Sequence, residues 1–459
     1  MAKLLAGHAV RRVRHKSGLS QVAVAEMLGI SPSYLALIER NQRPLPATLL
    51  VRLAETFDFD ARALAAGEPG GGADALRQRL ADPLFADLEI DRHELGEWLA
   101  AAPGGAEAFA RAYDRGGNAV VDGEGAPDPL AAVRREIERW RNHFTDLDAA
   151  AERLADELRQ GAGDLYGAMG ERLRVKHQLS IRVLPIEVLA GTRVRLDLHA
   201  RQLQLSEALD PPSRSFALAR QLAAVEARGE IDALVKGAAL GERTAERLYR
   251  RHLTGYFAAA LMMPYDRFLR ACETNGYDLE LLRRRFGASV EQVAHRLTTL
   301  SRLGARGLPF FMLRVDRAGQ VSKRFAGASG SPLVDAAQPC PLLGTFDAFQ
   351  RPDERIVQVV ELEDSTRWFL SSRSVAPPGG WTGAVRARFA VTLGLTADAA
   401  RVLAAARGLD VGGEAVPVGL GCRRCTRTAC PQRSAPPAGR ALRIDERETG
   451  ASVFGFAGD

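Results

Sequence analysis

The spacing of apolar residues predicts a short all-helical region at the start of the chain. In residues 4–62, apolar positions recur with the period of amphipathic helices. Ser20 precedes one helical run as a cap, and Gly29 supplies the turn that follows it. Two more helical runs cover residues 33–40 and 48–57. The pattern therefore predicts a compact bundle of short helices.

A glycine-rich break at residues 65–73 separates this bundle from a helical linker, residues 74–160. Within the linker, apolar residues alternate in steps of three and four over residues 130–158: Leu130, Val133, Ile137, Trp140, Phe144, Leu147, Ala151, Leu154 and Leu158. This spacing is typical of a coiled-coil seam. One interpretation is a dimerisation helix. The other is a long helix that packs on neighbours within its own chain.

The remaining pattern predicts a mixture of helices and strands. A helix near 164–177 precedes strand-like runs at 181–185, 194–198 and 202–205. Helical runs follow at 213–228, 242–263, 265–272, 278–286 and 289–303. From Leu308 the pattern changes to four strand-like runs, and helices are predicted near 382–394 and 396–407. The chain after Pro436 is expected to lack regular structure.

These segments predict a mainly α fold with α+β portions. An all-α head and a helical linker precede an α+β domain, and a mixed α/β domain ends the chain. With 459 residues the chain is too long for one core. No stretch approaches the roughly 18 apolar residues of a membrane span, and no export signal is evident, so a cytoplasmic location without membrane attachment is expected.

The charge balance allows a nucleic-acid partner without requiring one. The net charge is +6, and only five of the 62 basic residues are lysines. In so arginine-rich a chain, a single arginine is weak evidence for a phosphate site, because most arginines must be solvated.

The run LSQVAVAEMLGISPSYLALIERNQRPL, residues 19–45, resembles the lambda-repressor-like (XRE/Cro) helix-turn-helix family. The resemblance implies a DNA-binding domain over residues 1–64 whose third helix enters the major groove of double-stranded operator DNA. Carried over by position, three residues approach base edges: Ser31, Ser33 and Tyr34. Three more hold phosphates: Gln21, Asn41 and Arg43. The alternative is a helix-turn-helix kept as a protein-binding module. Such a domain binds weakly alone, so a homodimer is expected.

Residues 161–305 resemble the ImmA/IrrE-type metallopeptidase domain through the segments RSFALARQLAAVEA and FAAALMMPYDRFLRA. Catalytic members carry HExxH, whose histidines bind zinc while the glutamate acts as general base. Here the equivalent positions read Arg220, Gln221, Leu222, Ala223 and Ala224. Both ligands and the base are missing, so hydrolysis is not expected.

The domain order resembles the short-chain fatty acyl-CoA regulators, which include propionate and acetate/glyoxylate regulators. The resemblance implies that the degenerate peptidase region binds an acyl-CoA and that the ligand sets the affinity for DNA. CoA needs cations for its phosphates and an apolar slot for its acyl chain. The candidate cations are Arg220, Arg243, Arg247, Arg250 and Arg251. The candidate slot residues are Tyr249, Tyr256 and Phe257.

Three cysteines lie close together in the sequence near the C-terminus: Cys422, Cys425 and Cys430. In a reducing compartment this spacing indicates metal or iron–sulfur chemistry rather than a disulfide. The segment GCRRCTRTACPQRSAPP resembles the end of the same regulators' C-terminal domain, here residues 306–433 before a tail at 434–459. The resemblance implies a [4Fe–4S] cluster with Cys340 as the fourth ligand. Structural zinc on the same thiols is the alternative. Cys272 is expected to be a buried apolar residue.

The sequence thus predicts a dimeric transcription regulator of short-chain acyl-CoA (propionate or acetate) metabolism, not an enzyme. Two alternatives remain open. One is a zinc metallopeptidase that acts on a repressor, and the other is an antirepressor that binds a protein partner.

Overall fold

The computed structural model describes most of the chain in two compact units. The described residues are 10–11, 13–14, 17, 19–40, 42–57, 72–80, 85, 88, 90–119, 128–160, 164–336, 338–377, 386–444, 447 and 454–456. One unit comprises Met1–Ala126 with Ala438–Ala441, and the other comprises Pro127–Pro437 with Leu442–Asp459. The break predicted at residues 65–73 lies mostly outside the described residues. The mainly α fold with α+β portions is confirmed.

The first unit begins with the predicted helical bundle. Helix α1, described at residues 10, 11, 13 and 14, precedes α2 (Gln21–Met27), α3 (Pro32–Glu39) and α4 (Ala47–Phe57). Ser20 and Ser31 cap α2 and α3 by accepting the backbone N–H of Ala23 and Tyr34, each at 3.2 Å. Gly29 turns the chain with a φ of 65°, and α2 and α3 are bent by 106°. This angle is typical of a helix-turn-helix.

Apolar side chains from these helices form one small core: Val10, Val24, Leu28, Leu35, Ile38, Leu45, Leu49 and Leu53. A separate core joins α5 (Gly72–Leu80), α6 (Arg92–Ala101) and α7 (Pro103–Ala119) through Leu76, Leu95, Ala106 and Ala110. Among the described helices, none alone is long and apolar enough to span a bilayer, and α2 and α3 meet that test only as a bent pair.

The helix predicted over residues 130–158 is two helices. Helix α8 (Pro129–Arg139) and helix α9 (Thr145–Arg159) are separated by Arg141 and Asn142, both with left-handed backbones. The apolar seam is buried in the core of its own unit, except for the exposed Leu130 and Trp140. The prediction of one long helix is therefore wrong, and the seam packs against neighbouring helices. Periodicity alone does not reveal the break, because each helix continues the apolar spacing.

A small sheet and a helical layer follow. After α10 (Leu165–His177), the sheet has the order β1-β3-β2, with β1 (Ser180–Leu184) parallel to β3 (Gln202–Ser206) and β2 (Val194–Asp197) antiparallel to it. Helix α11 (Ile186–Leu189) lies between β1 and β2. The helical layer contains α12 (Pro211–Glu226), α13 (Arg228–Ala238), α14 (Arg243–Met262), α15 (Tyr265–Thr274), α16 (Leu279–Phe286) and α17 (Val290–Leu297).

All three strands and most of these helices match the prediction, but α13 was missed. Gly229 and Gly237 lower the helix propensity of that segment. Burial of Ile231 and Val235 in the core stabilises the helix nonetheless.

The C-terminal part is a six-stranded sheet with the order β5-β4-β8-β7-β6-β9. Its strands are β4 (Phe311–Val315), β5 (Val321–Phe325), β6 (Ile356–Glu361), β7 (Arg367–Val375), β8 (Phe389–Thr396) and β9 (Val416–Pro417). Helix α18 (Gly344–Gln350) packs on β6, β7 and β8. In the described part of this sheet, β6 and β9 pair in parallel and the other neighbouring strands pair antiparallel.

Two predictions fail in this part. Residues 389–396 form strand β8 instead of a helix, because a central strand buried on both faces has a continuous apolar run without period-two alternation. Gly394 in β8 lies against Phe311, whose ring would be 2.3 Å from an added Cβ. Residues 396–407 contain only the short 3-10 turns Ala399–Val402 and Ala404–Ala406. In the tail, β10 (Leu442–Arg443) and β11 (Gly455–Phe456) form an antiparallel pair, so the described part has regular structure.

Candidate functional site

The first candidate site is the start of helix α3. Ser33 is exposed there, whereas Tyr34 is half-buried against the small core, and Arg43 is exposed after the end of the helix. The Ser31 hydroxyl caps the helix, so one of its hydrogen bonds is already used. Asn41 lies outside the described residues. The structure thus exposes Ser33 at the start of α3 and Arg43 beyond the end of this helix, and the six predicted contacts to DNA stay a prediction.

The buried carboxylate of Glu39 lies at the C-terminal end of this helix. Glu39 accepts hydrogen bonds from Arg14 Nε at 2.7 Å and from Gln21 Nε2 at 2.7 Å. Burial alone would raise the pKa of Glu39, but the hydrogen bonds from Arg14 and Gln21 hold it below its usual value. The side chain of Gln21, a predicted phosphate contact, therefore joins α2 to α3. Sequence reasoning missed this network, although an acidic residue among apolar helix positions was a usable signal.

The positions of the HExxH motif lie on α12. The side chain of Arg220 is half-buried, and its Nε finds no hydrogen-bond partner in the part of the chain that the structure describes. Burial together with the nearby Arg251 lowers the pKa of Arg220. Ala224 is exposed and Gln221 is half-buried. Among the residues that the structure describes, no three His, Cys, Asp or Glu side chains are grouped as ligands of one metal ion. A cation and an amide at these positions fit an anion better than a divalent metal.

The other predicted effector residues divide into two groups on α14. Tyr249, Tyr256 and Phe257 are at most 1% exposed, inside the main core. The arginines lie on the outer face: Arg243, Arg247, Arg250 and Arg251. Of these, Arg250 is ion-paired with Asp232. The structure therefore does not bring the aromatic and cationic groups together at either of the two cavities described below.

Tyr256 belongs to a buried polar network that sequence reasoning missed. Its hydroxyl donates to Asp148 Oδ2 at 2.6 Å, and Arg296 Nη2 donates to Asp148 Oδ1 at 2.6 Å. The side chains of Asp148 and Arg296 are both fully buried. Burial would raise the pKa of Asp148, but the charge of Arg296 and hydrogen bonds from its neighbours lower it to about 2. The network joins α9, α14 and α17.

A cavity of about 500 Å³ lies between helices α16 and α17 and strands β7 and β8. Its apolar wall consists of Leu279, Val290, Ala294, Val391 and Leu393. Polar and charged residues complete it: Glu280, Arg284, Asp353, Arg355, Ser371 and Arg373. None of these residues was predicted as a site from the sequence, because they come from separate segments that only the fold brings together.

A second cleft, of about 320 Å³, is strongly cationic. Arg159, Arg267, Arg270 and Arg285 line it together with Ala271, Thr274 and Phe286. Arg267 is ion-paired with Asp156 at 2.7 Å. The lining has little apolar character, so this cleft fits a phosphate or another small anion better than an acyl chain.

The last candidate site contains the predicted cysteines. Cys340 and Cys425 are buried, Cys422 and Cys430 are half-buried, and all four are free thiols. Burial raises the pKa of Cys340, and the nearby thiols of Cys430 and Cys422 raise it further. The fold therefore brings Cys340 near Cys422 and Cys430. Cys272 lies in the main core, as expected, and burial raises its pKa.

Hydrogen-bond donors approach the sulfur atoms. The guanidinium of Arg433 lies 3.8 Å from Cys425 Sγ, and the backbone N–H of Ser434 lies 3.5 Å from Cys422 Sγ. Arg433 also donates to the carbonyl oxygens of Cys422, Cys425 and Arg427, and its side chain stacks on Phe456. Arg433 therefore organises the loop that carries the thiols.

Comparison with known proteins identifies the domains in which these sites lie. A helix-turn-helix model matches residues 10–64, and an IrrE N-terminal-like domain matches residues 175–298. The C-terminal domain of the short-chain fatty acyl coenzyme A regulators matches residues 299–454. The transcriptional regulator RamB of Mycobacterium tuberculosis is 35% identical over 99% of both chains. The chain belongs to the short-chain fatty acyl-CoA regulator family.

Other proteins are similar to this one over most of the chain. The propionyl-CoA carboxylase regulator of Cereibacter sphaeroides is 36% identical over 98% of both chains. A solved structure of a Mycobacterium tuberculosis transcriptional regulator has 33% identity and a TM-score of 0.67, covering 71% of this chain and 98% of that one. This family member is accordingly a helix-turn-helix transcriptional regulator, as predicted from the sequence.

Proposed function

We propose that this family member is a cytoplasmic regulator of propionate or acetate metabolism that binds operator DNA with an affinity set by a short-chain acyl-CoA. The observation that carries the proposal is a capped helix-turn-helix with an exposed recognition end, in a chain that matches such regulators over its full length. A ligand changes DNA affinity only by its differential affinity for two states of the protein.

The metallopeptidase alternative has little chemical support. A zinc peptidase needs three protein ligands and a base. The described positions of HExxH contribute an arginine, a glutamine and an alanine instead. The antirepressor alternative predicts a stable complex with another protein and no sequence-specific DNA binding.

For the cysteine site we propose a [4Fe–4S] cluster held by Cys340, Cys422, Cys425 and Cys430. Four thiols from two segments, with donors from Arg433 and Ser434 at two sulfur atoms, are the donor set and hydrogen bonding that such clusters use. A single zinc ion would require all four sulfur atoms within about 2.3 Å of one point, and among the described residues no three of these thiols are grouped as ligands of one ion. When bound, the cluster would link the loop at Cys340 to the C-terminal loop and supply a redox-active centre.

A homodimer is also proposed, because a single helix-turn-helix binds weakly and dimers read half-sites about 34 Å apart. The seam of α8 and α9 is mostly buried within its own unit, so the dimer contact must come from another surface.

The test is a selection of DNA sites with the purified full chain, followed by titration of the selected DNA with acetyl-CoA, propionyl-CoA and free CoA. At least one thioester should change the DNA affinity about fivefold or more, and free CoA should change it less. Sequence-independent DNA binding, or no response to any thioester, would contradict the proposal.

A further inference from the structure

Strand β2 is a free edge of the small sheet. Because the sheet has the order β1-β3-β2, β2 pairs with β3 on one side and, in the described part of the chain, with no strand on the other. The carbonyl oxygen of Arg193 accepts the backbone N–H of Ser206 at 2.9 Å, so Arg193 and every second residue after it bond toward β3. The backbone N–H and C=O groups of Val194 and Leu196 therefore point outward, where another strand can pair with them.

The outward edge is also apolar on one face. Val194 and Leu196 are 41% and 39% exposed. Their register partners in β3 are buried in the main core: Leu205 and Leu203. Residues paired across neighbouring strands share a face, so the apolar face of the sheet continues onto β2 and ends there without cover. Just beyond the strand, Leu198 is 76% exposed. A further strand with apolar residues at alternate positions would cover this end of the face.

The sequence of β2 is complementary to itself when two copies run antiparallel. If the two-fold axis passes at Leu196, Arg195 lies opposite the partner's Asp197, and Val194 lies opposite the partner's Leu198. If the axis passes at Arg195 or at Asp197 instead, that residue lies opposite its own copy, and two like charges meet. Charge therefore selects the register centred on Leu196, which is also a register in which outward backbone groups meet outward backbone groups.

We propose that β2 pairs with β2 of a second copy of this chain, antiparallel and centred on Leu196, an inference that rests on the homodimer proposed above. The N–H of Leu196 donates to the carbonyl oxygen of the partner's Leu196, and the partner returns the same bond. The two small sheets then form one sheet of six strands in the order β1-β3-β2-β2-β3-β1. The apolar row on one face becomes continuous across both copies.

The charged groups of β2 remain able to pair across this contact. Arg195 donates from Nε to Gln204 Oε1 at 2.8 Å, which leaves its two Nη atoms for a carboxylate. Asp197 accepts the backbone N–H of Ala200 at Oδ1, at 2.9 Å, and its Oδ2 has only a long contact of 3.5 Å with Gln204. In the proposed register Arg195 and the partner's Asp197 form a pair without backbone hydrogen bonds, the kind in which opposite side chains lie closest.

The other sheet edges lack this complementarity. At the opposite edge of the same sheet, β1 carries Arg182 as its one charged residue. At the edge of the six-stranded sheet, β5 carries Lys323 and Arg324 and no acidic residue. Two copies of either strand would bring only positive charges together, a common protection against pairing. Among the described edge strands of four or more residues, β2 is the one with both signs of charge.

The experiment is sedimentation equilibrium of the full chain without DNA over a range of protein concentrations. The contact consists of one short strand, so the fraction of wild-type dimer should rise with concentration. Leu196→Pro removes an outward N–H without removing a bond to β3, and it should raise the dissociation constant of the dimer about a hundredfold or more. Arg195→Asp and Asp197→Arg each place like charges opposite each other twice in the dimer, and each should raise it about tenfold.

A mixture of the two charge variants tests the register directly. A copy with Arg195→Asp then meets a copy with Asp197→Arg, and both cross-strand pairs again unite opposite charges. The mixture should therefore form mixed dimers with about the wild-type dissociation constant, although neither variant dimerises well alone. Damage to the fold cannot produce this recovery. Circular dichroism of each variant is compared with that of the wild type.

The matched control is Arg182→Asp, which reverses an exposed charge at the opposite edge of the same sheet and should leave the dimer unchanged. A wild-type dimer that persists in Leu196→Pro, or a mixture that fails to recover, would overturn the proposal; the edge would then be open to an extended segment of a different protein. A wild type that stays monomeric at every concentration would contradict the homodimer itself. The response of DNA binding to thioesters is measured separately and stands or falls independently of this contact.

Discussion

Removing one partner of the buried ion pair between Asp148 and Arg296 should strongly destabilise the second unit. The substitution Asp148→Asn keeps the shape of the side chain and removes its charge. Arg296 then retains hydrogen bonds to the Met263 carbonyl oxygen at 3.1 Å and to Thr299 Oγ1 at 2.9 Å, but its charge is buried without a counter-ion. An unpaired buried charge is strongly destabilising, because neither water nor a partner solvates it.

The expected loss in the free energy of unfolding follows from a pKa shift and from the known effect of breaking buried ion pairs. The pKa of Asp148 falls from an ordinary 3.8 to about 2, so the folded protein favours the carboxylate over the neutral acid by about 2–3 kcal/mol. Breaking a buried ion pair by removing one partner costs about 3–5 kcal/mol. We therefore expect the free energy of unfolding to fall by about 2–5 kcal/mol.

The pH dependence follows from the direction of the shift. Because the pKa of Asp148 is lowered in the folded state, its stabilising effect is fully present above pH 3.8 and is lost as the pH falls toward 2. Asparagine does not titrate. The difference in the free energy of unfolding between wild type and Asp148→Asn should therefore be constant from pH 5 to pH 7. It should shrink below pH 4.

The assay is urea denaturation of the full chain followed by fluorescence, with both proteins prepared identically. The matched control is Glu171→Gln, because the ion pair of Glu171 with Arg174 is exposed and should leave the midpoint unchanged. A loss below about 1 kcal/mol for Asp148→Asn, or a loss no larger than that of the control, would contradict this prediction.

Three further predictions concern the ends of the chain. Glu39→Gln should destabilise the helix-turn-helix by about 1–3 kcal/mol in thermal unfolding, because Arg14 loses its buried partner, whereas the exposed Glu26→Gln should have no effect. Arg43→Gln should weaken binding to all DNA sequences alike and reduce the slope of log affinity against log salt by about one. Gel-shift titrations over a series of salt concentrations would measure both effects. An altered preference among DNA sites would contradict a phosphate contact. Cys340→Ser should abolish the visible absorption, iron and sulfide of anaerobically purified protein, while Cys272→Ser should not; stoichiometric zinc in the wild type would contradict the cluster.

Local signals account for the predictions that succeeded. Ser20, Gly29 and Ser31 mark the helix-turn-helix because caps and turns depend on only a few neighbouring residues. The alternation at 202–205 predicted strand β3 for the same reason. Central strand β8 has no such signal, since both of its faces are buried, and the sequence pattern wrongly predicts a helix there.

The order of the domains, the family and the chemical types of the candidate ligands follow from short segments of the sequence, because motifs and helix caps depend on neighbouring residues. The tertiary structure alone decided which side chains meet. It divided the apolar seam between α8 and α9, buried Tyr256 against Asp148, placed Cys340 beside Cys430, and formed a cavity between α17 and β8. These contacts join residues far apart in the chain, and long-range packing and the burial of charge, rather than local propensity, select them.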